Sequence, residues 1–569
     1  MEAKTPKYSS SALHIGLLIA LCGVLYFPYL GRVPFFDKGE PREAMAVQDI
    51  VQRGEWLFPL KRATAIPSKP PLFHWSAALT YQVTGRLDEA TIRFPSALYA
   101  TLGVLLIYGL GRKLFGAQAG LLGGAVLATT LIYHTQALSA RVDMPLCVFV
   151  TASLVLFYAL YRGFLARQFW FYLFYVLVGI GTLAKGPLGI LLPGLVIASF
   201  LALRRRWDLF AKFCFHPGVL VTLIVVVGWY GLAATRGGEG FVDRQLLREN
   251  LERFAGGSGH NHPVYFYLPY LFSQGLPWSL FLPIALWDGF KQGFFSDDDR
   301  LFTMLWFFVM FLFFSIAMGK RSVYLLPLYP ALALFTAKWL HDQAGAAGGR
   351  LVIYRFIAAF AAVSGILLLI VTLGALWSHD PAWFFTPLER LLKPKDRANL
   401  LVVKNAIAAL GVVFTVAACL SGISWLATAY SMWLGRARAA AHRLVPISIL
   451  FAFLGWSMVL PAIAESKSYR PFMEEVNRRV QPGDKLYMLG GFNDDPVIFY
   501  RGAPIDRLEP TPEAIANLGP GKIYIIMPRQ NWEKLRRQNP NLPPPLLESA
   551  GAGPEGDAPL VLVEVGEPS

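Results

Sequence analysis

The stretch DKGEPREAM, Asp37 to Met45, sets Asp37, Lys38, Glu40, Arg42 and Glu43 within seven residues, directly after an apolar run from Leu13 to Leu30. Five more motifs hold most of the other unexplained polar groups of an otherwise apolar chain. PSKPPLFHW (67–75) places Lys69 before a Pro-Pro pair, and SARVDMP (139–145) carries Arg141 and Asp143. LAKGPLG (183–189) carries Lys185, and GSGHNHP (257–263) carries His260 and His262. MGKRSVYLLPLYP (318–330) carries Lys320, Arg321, Tyr324 and Tyr329. Lysine and arginine neutralise a phosphate, and a carboxylate takes or orients the proton of an attacking oxygen. Brought together, these groups suit transfer of a group from a lipid-linked phosphate. A leaving group with one phosphate needs only cationic side chains, whereas a diphosphate more often recruits a divalent ion.

Each group also has a plainer reading. Asp37 and Glu40 fit solvated loop charges or the acids of a helix start. Lys69 fits a side chain snorkelling to the membrane interface. Asp143 fits a helix N-cap, although an ionisable residue at the membrane start of a helix points first to function. His260 and His262 are a weak metal signal without cysteine partners, and a structural or hydrogen-bonding role suits them equally. The helix expected from Pro41 is amphipathic. Ala44, Val47, Val51 and Leu57 would lie along the bilayer surface, holding Asp37 at headgroup depth. Lys38, Arg42 and Glu43 then read as interfacial anchors or supports, and Glu40 as a possible partner of Asp37.

The elements that must position these residues are membrane helices. Of 569 residues, 55% are hydrophobic and 16% charged, well under the roughly 25% charged of soluble domains. A span needs about 20 mostly apolar residues. Thirteen candidates follow, near 12–30, 92–111, 117–134, 142–161, 168–184, 187–203, 213–233, 266–287, 301–318, 322–340, 353–377, 400–431 and 445–464. The long 400–431 run is expected to tilt, or to break at Gly411 or Gly422. The first run lacks a small-residue cleavage pattern and reads as a retained helix. Cys22, Cys147, Cys214 and Cys419 lie in apolar runs and read as packing residues.

A net charge of +15 suits membrane topology. With Lys4 and Lys7 cytoplasmic, every cytoplasmic connection is basic: Arg112/Lys113, Arg162/Arg167, Arg204–Arg206/Lys212, Lys291/Arg300, Arg350 and Arg436/Arg438/Arg443. All six polar motifs then fall on the other face. Lys185, Lys320 and Arg321 run against the positive-inside trend there, which suggests a bound anion. Nucleic-acid binding would need a basic soluble domain, and none is present in the sequence pattern. The middles of the helices are nearly free of charge, whereas a transporter places ionisable groups at mid-membrane. A lipid transporter that binds phosphate without chemistry remains the rival class, and the acids Asp37 and Asp143 argue against it. The expected architecture is a transmembrane unit, 1–464, with a first outer loop 31–91, and a small α/β domain, 465–569. In that tail DKLYML, KIYIIM and LVLVEV read as strands, and RPFMEEVNRRV and NWEKLRRQ as helices.

The stretch from FFDKGEPREAM through SKPPLFHW to GLGRKLFG resembles the N-terminal region of the ArnT-like glycosyltransferases. ARVDMPL, AKGPLGILLPG, ENLERFAGGSGHNHPVYFYLPYL and YLLPLYPALAL continue the likeness in order, over about residues 10–340. These are GT-C enzymes related to the aminoarabinose transferase of lipid A, and more distantly to protein O-mannosyltransferases. The resemblance implies about 13 membrane helices and a C-terminal outer domain in the bacterial inner membrane, and a monomer is expected. It implies a polyprenyl-phosphate-linked sugar donor, an acceptor such as lipid A or another glycolipid or polysaccharide on the periplasmic side, and inverting transfer that needs no metal. A protein O-mannosyltransferase-like activity is the alternative within enzymes. The resemblance assigns Asp37 as the base or acceptor-orienting acid, Asp143 as the second acid and Lys69 as the phosphate-binding lysine. Tyr324 falls near the lipid phosphate. Arg321, Lys320, Lys185 and Arg141 are further candidates for substrate binding. His260 and His262 fall where the aminoarabinose transferase has a structural zinc site. That enzyme has an acid just before the KPP lysine, where Ser68 stands here, and Lys38 stands where relatives often have a second acid.

Overall fold

The computed structural model describes residues 7–565 except 61–64, 67, 242, 244, 246–261, 292, 294, 296, 343–350, 390–391, 393, 482, 510, 512–517, 519–520, 541, 551–552 and 554–557. Among these residues ten helices are long and apolar enough to cross a membrane. They coincide with ten of the thirteen expected spans. The other three segments are helical but shorter or interrupted. Residues 117–134 form Ala117–Thr129 and Leu131–Ala137, broken where Thr130 turns to an extended ψ of 128°. Leu188–Leu203 is a single helix of 16 residues. Residues 266–287 split into Tyr267–Gln274, Trp278–Phe281 and Leu282–Lys291 around Gly275 and Pro277. Pro277 has no N–H to give the helical ladder and stands at the break before Trp278.

The 400–431 run breaks at Gly411, whose φ of 51° and ψ of −123° only glycine adopts without strain. Gly422 lies inside the following helix and serves a different purpose. A Cβ there would sit 2.9 Å from Leu369 and 3.1 Å from the Gly365 carbonyl. Its missing side chain lets the helices Leu351–Ser378 and Val412–Trp433 approach closely, as small residues do between membrane helices.

The two ends of the bundle differ in chemistry. At one end the basic residues expected to be cytoplasmic meet an acidic run. Arg162 pairs with Asp299, Arg204 with Asp298 at 2.6 Å and Arg300 with Asp297 at 3.6 Å. The other end holds the starts of Glu89–Phe115 and Asp143–Tyr161 and carries the C-terminal sheet.

That sheet has five strands: β1 (Lys485–Leu489), β2 (Asp506–Leu508), β3 (Ile523–Pro528), β4 (Leu547–Glu548) and β5 (Leu560–Val565), in the order β2-β1-β3-β5-β4. β1 pairs parallel with β2 and β3, while β5 runs antiparallel to β3 and β4. The period of two divides the strand residues between two cores. Ile523, Ile525, Met527, Val561 and Val563 face Leu535 of the helix Arg529–Gln538. Tyr524, Ile526, Leu560 and Leu562 face Phe472, Met473, Val497, Ile498 and Phe499. β1, β3, β5 and both expected tail helices occur where the sequence pattern places them. Two short strands and the helix Asp495–Arg501 add to that expectation.

The second of these cores continues into the first loop, and this corrects one expectation. Ala44, Val47 and Ile50 of the helix Glu40–Arg53 are buried in the same cluster as Phe499 and Met473. Leu57 packs beside Phe58, Trp229 and Phe241. The apolar face of the first-loop helix is therefore covered by protein and does not rest on the bilayer. An amphipathic pattern records that a helix has an apolar side, without recording what covers it.

Candidate active site at the sheet-bearing end of the bundle

Asp37 occupies the turn that opens the helix Glu40–Arg53. Its Oδ1 accepts the amides of Gly39 and Glu40, both at 2.8 Å, satisfying two donors at the helix start. Its Oδ2 accepts Arg141 Nη2 at 2.5 Å. Burial would raise the carboxyl pKa, but Arg141 and the two amides outweigh it and hold Asp37 below its ordinary value. Burial alone would lower Arg141, yet Asp37 holds it above the usual guanidinium value. Gly39 permits this contact. A Cβ at position 39 would lie 2.1 Å from Arg141 Cζ.

Asp143 starts the helix Asp143–Tyr161, and Lys185 ends the helix Gln168–Lys185. Their side chains form a buried ion pair. Lys185 Nζ also lies 4.4 Å from the centroid of the Tyr324 ring, within cation–π range. Lys69 is buried, and its carbonyl accepts Gln245 Nε2 at 3.1 Å.

Arg42, Glu43, Ser68, Lys69, Arg141, Val142, Asp143, Lys185, Arg321, Val323 and Tyr324 line one small cleft. Six of the candidates from sequence thus converge on it: Lys69, Arg141, Asp143, Lys185, Arg321 and Tyr324. Asp37 joins them through Arg141.

Glu40 is placed elsewhere. It lies buried in a two-point ion pair with Arg93, at 2.8 and 2.7 Å, and accepts the Ala140 amide at 2.7 Å. Glu40 therefore ties the Asp37 turn to the turn that carries Arg141, and it does not line the cleft. Lys320 is likewise buried apart, donating to the carbonyl of Ala317, the C-cap of the helix Asp298–Ile316. There an ammonium satisfies an orphan carbonyl and complements the helix dipole. Burial lowers its pKa. Tyr329 is buried and donates to the Leu271 carbonyl at 3.3 Å.

Arg42 and Glu43 are the residues whose role the sequence reading missed. Glu43 is 4% exposed, bonded to Arg42 at 2.9 Å and to His74 Nε2 at 2.9 Å. Burial would raise Glu43, but Arg42 and His74 hold it far below the ordinary carboxylate range. These two are walls of the cleft and not interfacial anchors. The signal was present in PREAM and in the histidine of PSKPPLFHW, both inside motifs already singled out.

His260 lies outside the described residues. His262 stacks on Phe266, with ring centroids 4.2 Å apart. Among the described residues no group of three or more His, Cys, Asp or Glu side chains is placed to hold a metal, and Ser68 contributes no carboxylate. These residues do not make up a zinc donor set.

A family model described as dolichyl-phosphate-mannose-protein mannosyltransferase matches residues 68–230. The crystal structure of ArnT from Cupriavidus metallidurans bound to undecaprenyl phosphate superposes with a TM-score of 0.74 and 20% identity, covering 98% of this chain and 99% of that one. The chain has the ArnT-like GT-C fold. An undecaprenyl phosphate-alpha-4-amino-4-deoxy-L-arabinose arabinosyl transferase of Pectobacterium carotovorum is 27% identical over 370 residues, 64% of this chain and 66% of that protein. Its counterpart in Pseudomonas paraeruginosa is 32% identical over 322 residues, 56% of this chain and 58% of that protein. The sequence match thus spans less than two thirds of either ArnT relative, while the ArnT-like fold extends over nearly the whole chain.

Proposed function

We propose that this chain is a membrane glycosyltransferase that moves a sugar from a polyprenyl-phosphate donor to a periplasmic acceptor. The acceptor class is lipid A or another glycolipid or polysaccharide. One observation carries the reading: two acids, Asp37 and Asp143, stand paired with cations at a cleft that also holds Lys69 and Arg321. Holding a phosphate calls for cations alone, whereas transfer to an acceptor oxygen also calls for a charged carboxylate that can take or orient its proton. The arabinosyl transferases and the undecaprenyl phosphate-bound ArnT support the choice of donor. The basic opposite end supports an inner-membrane orientation with this cleft outside.

Lys69, Lys185 and Arg321 would hold the donor phosphate while the sugar C1–O bond breaks. The bonding electrons leave with the phosphate oxygen, and the acceptor oxygen bonds C1 from the opposite face. If the acceptor is a hydroxyl, its proton passes to Asp37. If it is already an anionic phosphate, Asp37 and Arg141 position it instead. Asp37, held charged by Arg141, is then in the proton-accepting form at neutral pH.

The test compares lipopolysaccharide and membrane lipids by mass spectrometry in cells with and without the protein. The added mass names the sugar, and the shifted species names the acceptor. Glycosylated protein would favour the O-mannosyltransferase-like alternative. Asp37→Asn should abolish the shift while the protein remains folded and membrane-inserted. A fully active Asp37→Asn would remove Asp37 from the chemistry.

A further inference from the structure

The turn that carries Asp37 is pinned from two sides. From the bundle, Arg93 donates to the carbonyls of Leu30 and Val33 and to both oxygens of Glu40. From the tail, Phe499 and Tyr500 of the helix Asp495–Arg501 pack against the same turn. The Tyr500 hydroxyl accepts the amide of Phe35 at 2.9 Å and donates to Glu89 Oε1 at 2.8 Å. Phe35 itself is fully buried. Its ring centroid lies 5.0 Å from the Arg93 guanidinium and 5.2 Å from the Phe499 ring centroid. Glu89 is buried as well and also meets Arg470 of the tail at 3.4 Å.

We propose that Tyr500 is a positioning residue for Asp37, so that the C-terminal sheet domain acts on the cleft by fixing the turn two residues before the acid. This rests on the transfer reading above for its kinetic consequences, but not for its structural one. The hydroxyl meets both the turn backbone and a first-turn acid of the helix Glu89–Phe115. Burial and the Glu89 carboxylate raise the phenol well above its usual pKa, so it remains a neutral donor to Glu89. A phenylalanine keeps the packing of the ring but leaves the buried Phe35 amide without an acceptor. The turn is then free to shift relative to Arg141. A misplacement of about 1 Å at a reacting group costs about a hundredfold in rate. Hydrogen bonds two residues away transmit part of that, so a loss of about tenfold is expected.

The experiment uses the full-length protein in proteoliposomes with three versions: wild type, Tyr500→Phe and Gln52→Ala. Gln52 bonds the Gly502 carbonyl at 2.6 Å and so joins tail and loop without touching the Asp37 turn. In Tyr500→Phe, kcat should fall about tenfold while affinity for polyprenyl phosphate changes less than twofold, since the phosphate cations are untouched. Hydrogen exchange at residues 34–40 should quicken by about tenfold, with 44–50 unchanged. Gln52→Ala should match wild type in both readings. Unchanged exchange at 34–40 in Tyr500→Phe overturns the proposal. So does an equal kcat loss in Gln52→Ala, which would mean general loosening of the tail. If wild type transfers no sugar, the transfer reading fails alone, and exchange at 34–40 still decides the positioning role.

Discussion

Gly39→Ala is a narrow way to test the Asp37–Arg141 pair. Gly39 has φ −96° and ψ −43°, a conformation that alanine adopts without strain. The added methyl carbon collides first with the tip of Arg141, at 2.1 Å from Cζ and Nη1 and 2.3 Å from Nη2. Ordinary contact needs about 3.5 Å, so the guanidinium must retreat by more than about 1 Å. A bond of 2.5 Å to Asp37 stretched that far is no longer a hydrogen bond. Both partners are largely buried, with side chains 24% and 28% exposed. A hydrogen bond to a charged group contributes about 1.5–3 kcal/mol, which corresponds to roughly 10- to 150-fold in rate if the pair acts in the transition state. Released from Arg141, Asp37 has a higher pKa, and the acid limb of kcat moves to higher pH. The sign for stability follows from the same shift. A depressed folded pKa stabilises the fold above the unfolded pKa, and that contribution fades as pH falls through the folded value. The stability gap between wild type and variant is therefore largest at neutral pH and closes in acid. The assay is a pH series of turnover and thermal unfolding on purified protein. In an Arg141→Ala background, Gly39→Ala should have no further effect. Wild-type turnover and an unmoved acid limb in the single variant would refute the coupling.

Two further substitutions separate binding from folding. Lys69→Ala should weaken polyprenyl phosphate binding about tenfold, the scale of one charge-assisted hydrogen bond, read by titration calorimetry. Unchanged affinity would take Lys69 out of the phosphate site. Glu40→Gln leaves Arg93 buried without its counter-charge, at a cost of about 3–5 kcal/mol, so the protein should unfold at a markedly lower temperature. A variant with normal thermal stability and no turnover would instead make Glu40 a catalytic acid.

The convergence of Lys69, Arg141, Asp143, Lys185, Arg321 and Tyr324 was legible because hydropathy fixes which helix ends share a face. Four of these residues sit at the start of one membrane helix, at the end of another, or in the turn before a third. Glu40 was not legible. It stands beside Asp37 in sequence, but its partner Arg93 is 53 residues away within a long apolar helix. Only packing reveals that the pair faces away from the cleft. The covering of the first-loop helix was hidden for the same reason, because Phe499 and Met473 come from a tail more than 400 positions later. The break at Thr130 has no glycine or proline to announce it. The break at Gly411 was announced by its residue type.

On the proposed reading, the balance of charge favours the leaving group over the bound donor. Arg42, Lys69, Arg141, Lys185 and Arg321 give five cationic side chains around the cleft, and Asp37, Glu43 and Asp143 give three carboxylates. A sugar–phosphate–lipid diester brings one negative charge. Once the sugar departs, the polyprenyl phosphate is a monoester that approaches two. Cations already held in place therefore gain attraction as the C1–O bond breaks, which lowers the barrier and not merely the binding energy. The carboxylates have a part in that arrangement. They hold Arg141 and Lys185 oriented in the free protein, where unpaired buried cations would be costly. When the phosphate arrives, Lys185 can serve it from beside Asp143 with little movement, and little reorganisation remains to be made at the moment of transfer.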